Sequence, residues 1–116
     1  MVATPEWVAW WSGLPERQQD EVAAVVGLLR NRGPALLFPY SSGIRGSRLG
    51  HLRELRIQAK GVPLRTLYAF DPRRVAVLLV GGDKSGGRRW YARSLAQAEH
   101  LSEEHVARLR QEGLIP

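Results

Sequence analysis

Between positions 54 and 91 the chain carries Glu54, Arg56, Arg65, Lys84, Arg88, Arg89 and Tyr91, residue types that phosphate chemistry uses. Cleavage of RNA by its own 2′-OH needs a base at that hydroxyl, cations around the pentavalent phosphorus and an acid at the leaving oxygen. Glu54 suits the first role, Arg56, Arg65 and Lys84 the second, and Tyr91 or Arg89 the third. No metal and no cofactor is required. The same residues also read as a basic sheet that binds phosphate or acid without chemistry. Residue types alone leave both readings open.

These side chains need strands to gather them. Three runs are strand-like: Leu52–Gln58, Leu64–Phe70 and Val75–Val80. Lys60-Gly61 lies in the loop between the first two. Asp71-Pro72-Arg73-Arg74 joins the last two and carries a type I turn signal, because proline presets φ and aspartate accepts a backbone bond. A three-stranded antiparallel meander is expected. Period-2 geometry puts Glu54, Arg56 and Gln58 on one face of the first strand and Leu55 and Ile57 on the other. The third run has no polar alternation, as expected of a strand buried on both faces. On the second run Arg65 is the only charge in an apolar stretch, so it belongs at the edge of a site or beside an acid.

Charge marks the same region. Residues 45–93 hold twelve Lys or Arg and three acids, a local net of +9, against −1 for residues 1–44 and −2 for residues 94–116, which sum to the overall +6. A concentrated basic face is the footprint of a polyanion binder. Arg45, Arg48, Arg53, Lys60, Arg88 and Arg89 are the candidates for RNA phosphates. The 116 residues suit one domain spanning 1–116,. With no cysteine there are no disulfides or thiolate metal sites, and a cytoplasmic home is expected,. The N-terminus lacks the pattern of a signal peptide, and no apolar run approaches the ~20 residues of a membrane span.

Around the sheet the pattern is helical. Thr4 caps a short first helix with Pro5 at its first position, and Trp7, Trp10 and Trp11 share one face of it,. That face reads as core or partner-docking rather than base-stacking, because no positive charge lies nearby. Gly13-Leu14-Pro15 ends it. A second helix runs from about Glu16 to Arg30, burying Val22, Val25, Val26 and Leu29. Ala35–Gly50 is a long connection, Gly81–Gly87 a flexible basic loop, Arg88–Leu101 a third helix, and Ser102–Gln111 a short fourth. The glycine loop lacks the Walker spacing. His51, His100 and His105 have no metal-like partners and read as surface or structural residues, and Arg73 and Arg74 as solvated turn residues.

The segments LRELRIQAKG, LYAFDPRR, GGDKSG and RWY, in this order, resemble the HigB-like, phage-derived branch of the RelE/ParE toxin superfamily. The likeness extends through WVAWWSGLP, LLRNRGPAL, PYSSGIRGSRL and AEHLSEEHV, nearly the whole chain. It implies an α+β, RelE-like fold: two N-terminal helices packed on a small curved antiparallel sheet, with one or two C-terminal helices. It further implies a type II toxin silenced by a cognate antitoxin, possible as a toxin–antitoxin hetero-oligomer, that cuts mRNA on the ribosome without a metal. Arg65 in LRTLY matches the family's sheet arginine, Arg56 its basic strand residue, Lys84 the basic residue after the third strand, and Tyr91 lies near its C-terminal aromatic. Glu54 stands where some members carry lysine. The family begins with a strand before the first helix, and here only Met1–Thr4 precede it. A ParE-like gyrase inhibitor and an inactive module that binds nucleic acid or antitoxin are the alternatives.

Overall fold

The computed structural model describes residues 1–116. Its strands are β1 (Val2–Ala3), β2 (Ser41–Gly43), β3 (Arg53–Ala59), β4 (Val62–Phe70) and β5 (Ala76–Asp83); its helices are α1 (Pro5–Ser12), α2 (Glu16–Arg32) and α3 (Arg88–Gln111). The strands form one open sheet in the order β1-β5-β4-β3-β2, antiparallel except for β1, which runs parallel to β5. The class is α+β, as expected, but the sheet is larger than a three-stranded meander. The additions are the two edge strands. Four residues before α1 suffice for a strand because Thr4 ties it down: its N–H donates to the Leu78 carbonyl at 3.0 Å and its hydroxyl to that of Leu79 at 2.6 Å. The same hydroxyl accepts from the Trp7 N–H at 3.0 Å and so caps α1,.

Both faces of the sheet are covered, which accounts for the unalternating β5. On one face α1 and α2 bring Trp7, Val22, Val25, Val26 and Leu29 against Leu55, Ile57, Leu64, Tyr68 and Leu78. On the other, α3 brings Trp90 and Ala98 against Leu52, Leu67, Val77, Leu79 and Val80. The tryptophan face of α1 is core, with Trp7 also donating its indole N–H to the Thr66 hydroxyl at 3.0 Å. The β4–β5 connection is the expected turn, closed by the Arg74 N–H on the Asp71 carbonyl at 2.7 Å.

Two further expectations are corrected. The segment expected as a loop begins as strand: Gly81, Gly82 and Asp83 pair with Thr66, Arg65 and Leu64. Glycine is needed there because a Cβ on Gly81 would lie 2.1 Å from the Trp10 ring, and one on Gly82 2.0 Å from the Trp90 indole nitrogen,. Helices on opposite faces thus clamp two successive residues of β5. The third and fourth helices are one. No glycine or proline interrupts Arg88–Gln111, and Ser102 is a buried mid-helix residue sharing a face with Ser94 and Ala98,. No helix is long and apolar enough to cross a membrane.

Candidate functional site

The register of β3 and β4 sets Arg56 directly opposite Arg65. Like charges so placed repel, and Glu54, one alternation away on the same face, supplies the counter-charge. Its carboxylate is almost enclosed, at 6% exposure, and Arg65 is 3% exposed. Oε1 accepts from the Ser42 hydroxyl of β2 at 3.1 Å and from Arg56 Nη1 at 3.3 Å. Oε2 accepts from the Tyr91 hydroxyl at 2.5 Å and faces Arg65 Nε at 3.9 Å. Arg65 donates through Nη1 to the Leu64 carbonyl at 2.9 Å, while its Nε is buried with no hydrogen-bond partner. Such an orphan is uncommon in a folded protein. It leaves a donor free for an arriving acceptor or a reoriented Glu54.

Tyr91 reaches this cluster from the first turn of α3. Trp90 is seated on Gly82 and meets the Tyr91 ring edge-on at 4.9 Å, which fixes where the helix starts and hence where the phenol points. Burial, then the hydrogen bond and charge of Glu54, push the phenol up from 10.0 to about 12, against an opposing pull from Arg65. It is therefore protonated, and a donor, at neutral pH. The first turn of α3 holds no acid, and Arg88 and Arg89 stand exposed there. Cations at a helix N-terminus oppose the macrodipole, by about 0.3–1 kcal/mol each at exposed sites. Together they give the Tyr91 end of the cluster a positive potential.

Two clefts open onto the cluster. One, of about 230 Å³, is lined by Gly43, Ile44, Arg45, Glu54 and Tyr91. The other, of about 310 Å³, has Glu21, Tyr40, Arg56 and Arg65 among its walls. Of the candidate catalytic residues, Glu54, Arg56, Arg65 and Tyr91 are thus brought together. Lys84 follows Asp83, whose partner in β4 is Leu64, and makes no hydrogen bond or ion pair with the cluster. Among the candidate phosphate contacts, Arg45 lines the first cleft and Lys60 is exposed at the β3–β4 turn. Arg53 lies on the opposite sheet face, bonded to the Ser41 hydroxyl at 3.1 Å. Arg48 is engaged by Glu99 at 3.7 Å and by Glu103.

Ser42 and the residues before it were not singled out in the sequence. Strand β2 is three residues long and nothing in its alternation signals it. A second polar cluster lies across the sheet end. Asp71 accepts from His105 Nε2 at 3.0 Å and from Arg73 Nη2 at 3.0 Å, so His105 has a structural partner and Arg73 is not simply solvated. Burial raises the Asp71 carboxyl, but bonds from His105, Arg73 and the backbone N–H of Val75 outweigh it and bring the carboxyl down from 3.8 to about 2. No group of three or more His, Asp or Glu side chains is arranged to hold a metal ion.

Comparison with known proteins bears on this geometry. The family model described as phage derived protein Gp49-like matches residues 9–103. Two relatives come from Mycobacterium tuberculosis (strain ATCC 25618 / H37Rv). The one described as "Putative toxin HigB2" is 38% identical over 101 residues, covering 85% of this chain and 50% of the relative. The one described as "Putative toxin HigB3" is 34% identical over 108 residues, covering 92% of this chain and 93% of the relative. The chain therefore spans half the length of the first relative and nearly all of the second. No solved structure matches it.

Proposed function

The chain belongs to the phage-derived Gp49-like family, and from that premise we propose that it is the toxin of a type II toxin–antitoxin pair, an endoribonuclease that cuts mRNA on the ribosome. The HigB descriptions of its relatives support the toxin. The observation that carries the chemistry is the convergence of Glu54, Arg56, Arg65 and Tyr91 where two clefts open.

In this reading the 2′-OH of the upstream nucleotide attacks the adjacent phosphorus. The O2′–P bond forms, the P–O5′ bond breaks, and a 2′,3′-cyclic phosphate and a 5′-OH result. Glu54 takes the 2′-OH proton. Tyr91, which shares the first cleft, gives its proton to O5′ and recovers one from Glu54 along their hydrogen bond. Arg56 and Arg65 stabilise the charge that builds on the phosphorane oxygens. Lys84 adds a cation from the turn after β5. Arg45, Arg88 and Arg89 are the principal guides for the RNA backbone, with Lys60 at the rim and Arg48 contributing once released from Glu99 and Glu103, while Arg53, on the opposite sheet face, takes no part. The partner that silences the toxin is a cognate antitoxin. The local net of +9 favours an acidic antitoxin segment and fast, salt-sensitive association,.

Primer extension on mRNA from cells expressing the chain without its antitoxin tests this. Breaks phased with the ribosome are expected. Intact mRNA in arrested cells contradicts the reading.

A further inference from the structure

Leu37 and Phe38 are the most exposed large apolar residues of the chain, at 68% and 70%. Their exposure does not come from a loose loop. Leu36 is buried in the core beside them. Tyr40 and Ser41 donate backbone N–H groups to the Leu37 carbonyl at 3.1 and 3.2 Å, and the Tyr40 carbonyl accepts from the Arg56 N–H at 2.8 Å. The turn is therefore fixed to β3, and it holds the Phe38 ring out in water. The Arg56 guanidinium lies over that ring, 5.3 Å from its centroid,. Most of the ring remains uncovered. Tyr40, half exposed, lines the neighbouring cleft with Arg56 and Arg65.

We propose that Phe38 is a base-stacking subsite: it takes the base of one unpaired RNA nucleotide while Arg56 meets that nucleotide's phosphate beside Glu54. This inference rests on the proposed ribonuclease reading and deepens it, because it says how the substrate is positioned. Unpaired bases are recognised by stacking on aromatic rings and guanidinium planes, with cations tracking the backbone. Here Glu54, Arg56 and Phe38 form one continuous chain of contacts, so a base on Phe38 is coupled to the candidate base catalyst through a single side chain. The cleft walls carry two arginines against one acid, Glu21, which suits a phosphate. The runner-up occupant of such an apolar tip is a protein partner, and the test separates the two.

The test is titration of the whole protein with a short single-stranded oligoribonucleotide, 2′-O-methylated throughout so that it cannot be cleaved, followed by NMR so that millimolar binding is read. Wild type is expected to bind with a shift of the Phe38 ring protons. Phe38→Ala should weaken binding about 5- to 150-fold, the alanine cost of one base stack. Phe38→Leu, apolar but without a π face, should lose nearly as much, and Phe38→Trp should bind at least as well as wild type. An oligonucleotide abasic at every position should not distinguish wild type from Phe38→Ala. The inference is overturned if wild type does not bind, if Phe38→Ala binds normally, which leaves the tip to a protein partner, or if Phe38→Leu equals wild type, which makes the contact apolar rather than a stack. The outcome separates from that of the parent reading. Phe38-dependent binding without any cleavage of ribosome-bound mRNA sinks the nuclease and keeps the subsite. Cleavage that Phe38→Ala leaves unchanged does the reverse.

Discussion

Arg65 is where stability and the proposed chemistry meet, and two substitutions there pull them apart. Arg65→Ala removes one partner of a nearly enclosed Glu54. Breaking a buried pair costs about 3–5 kcal/mol when the remaining charge is left alone. Glu54 is not left alone, since Tyr91, Ser42 and Arg56 still donate to it. The lost contact is 3.9 Å and not a hydrogen bond, and the orphaned Nε disappears with the side chain. A loss of about 1–2 kcal/mol is expected, with a fall in Tm of roughly 5–10 °C. Arg65→Met fills the space with an apolar chain and should cost less, because exchanging a buried charge for a packed hydrophobe is often neutral. Both variants should lose about 10²–10³ in the rate of cleaving ribosome-bound mRNA, the typical cost of one electrostatic donor. Urea unfolding and primer extension on the same preparations give the two readouts. A folded Arg65→Met that cleaves at the wild-type rate refutes the role assigned to Arg65. A variant too unstable to fold would show that the guanidinium is chiefly a structural partner of Glu54.

Gly82→Ala should destabilise by at least about 1–3 kcal/mol, since its Cβ would lie 2.0 Å from the Trp90 nitrogen, while Gly86→Ala, with nothing within 4 Å, should be nearly silent in the same urea experiment,. Asp71 is depressed in the folded state, so its contribution is complete above the ordinary 3.8 and lost as pH falls through about 2. Acid unfolding of wild type should show a loss of about 2 kcal/mol across that window, and Asp71→Asn should lack it. Tyr91 has the opposite sign: raised from 10.0 to about 12, its contribution is complete below 10 and fades as pH rises through about 12. An ultraviolet titration should lose its step near pH 12 in Tyr91→Phe, and loss of a step near pH 10 instead would mean that the phenol is not held by Glu54.

The central strands were legible because their signals are local. Leu55 and Ile57 alternate with Glu54 and Arg56, Val75–Val80 is apolar without break, and Asp71-Pro72 marks the turn. That parity also places Glu54 and Arg56 on one face and assigns Arg53 to the face of Leu55, away from the cluster, whereas Arg65 joins them only through the register that sets it opposite Arg56. Tyr91 is a candidate by residue type, and the family likeness places it near the C-terminal aromatic, but strand parity says nothing of it. What stayed hidden depends on partners distant in the chain. Val2 pairs with Val77 and Ser42 with Glu54, and neither short strand has enough residues to show a period. Gly81 and Gly82 read as loop until Trp10 and Trp90 are known to press on them from opposite faces. Arg48 looked free until α3 brought Glu99 and Glu103 beside it. Ser102 read as the start of a fourth helix, but α3 runs unbroken through it. Phe38 gave no signal, because hydropathy does not say which apolar residue of a loop is left in water.

The most direct measurement compares purified protein acting on one mRNA, free and then bound in the ribosomal A site. Arginine stays protonated, so the cluster stabilises charge well but moves protons poorly without Glu54 and Tyr91. No histidine belongs to it: His105 is held by Asp71, His100 by Glu104, and His51 bonds its own loop. Such a site depends on its substrate arriving with the 2′-OH and phosphate in line, a contribution of up to ~7–11 kcal/mol in well-oriented systems. The proposed reading predicts efficient cleavage of the bound mRNA, phased with the ribosome, and little cleavage of the free RNA. Equal rates on both would contradict it and mark a self-sufficient nuclease, and no cleavage of either would remove the nuclease altogether.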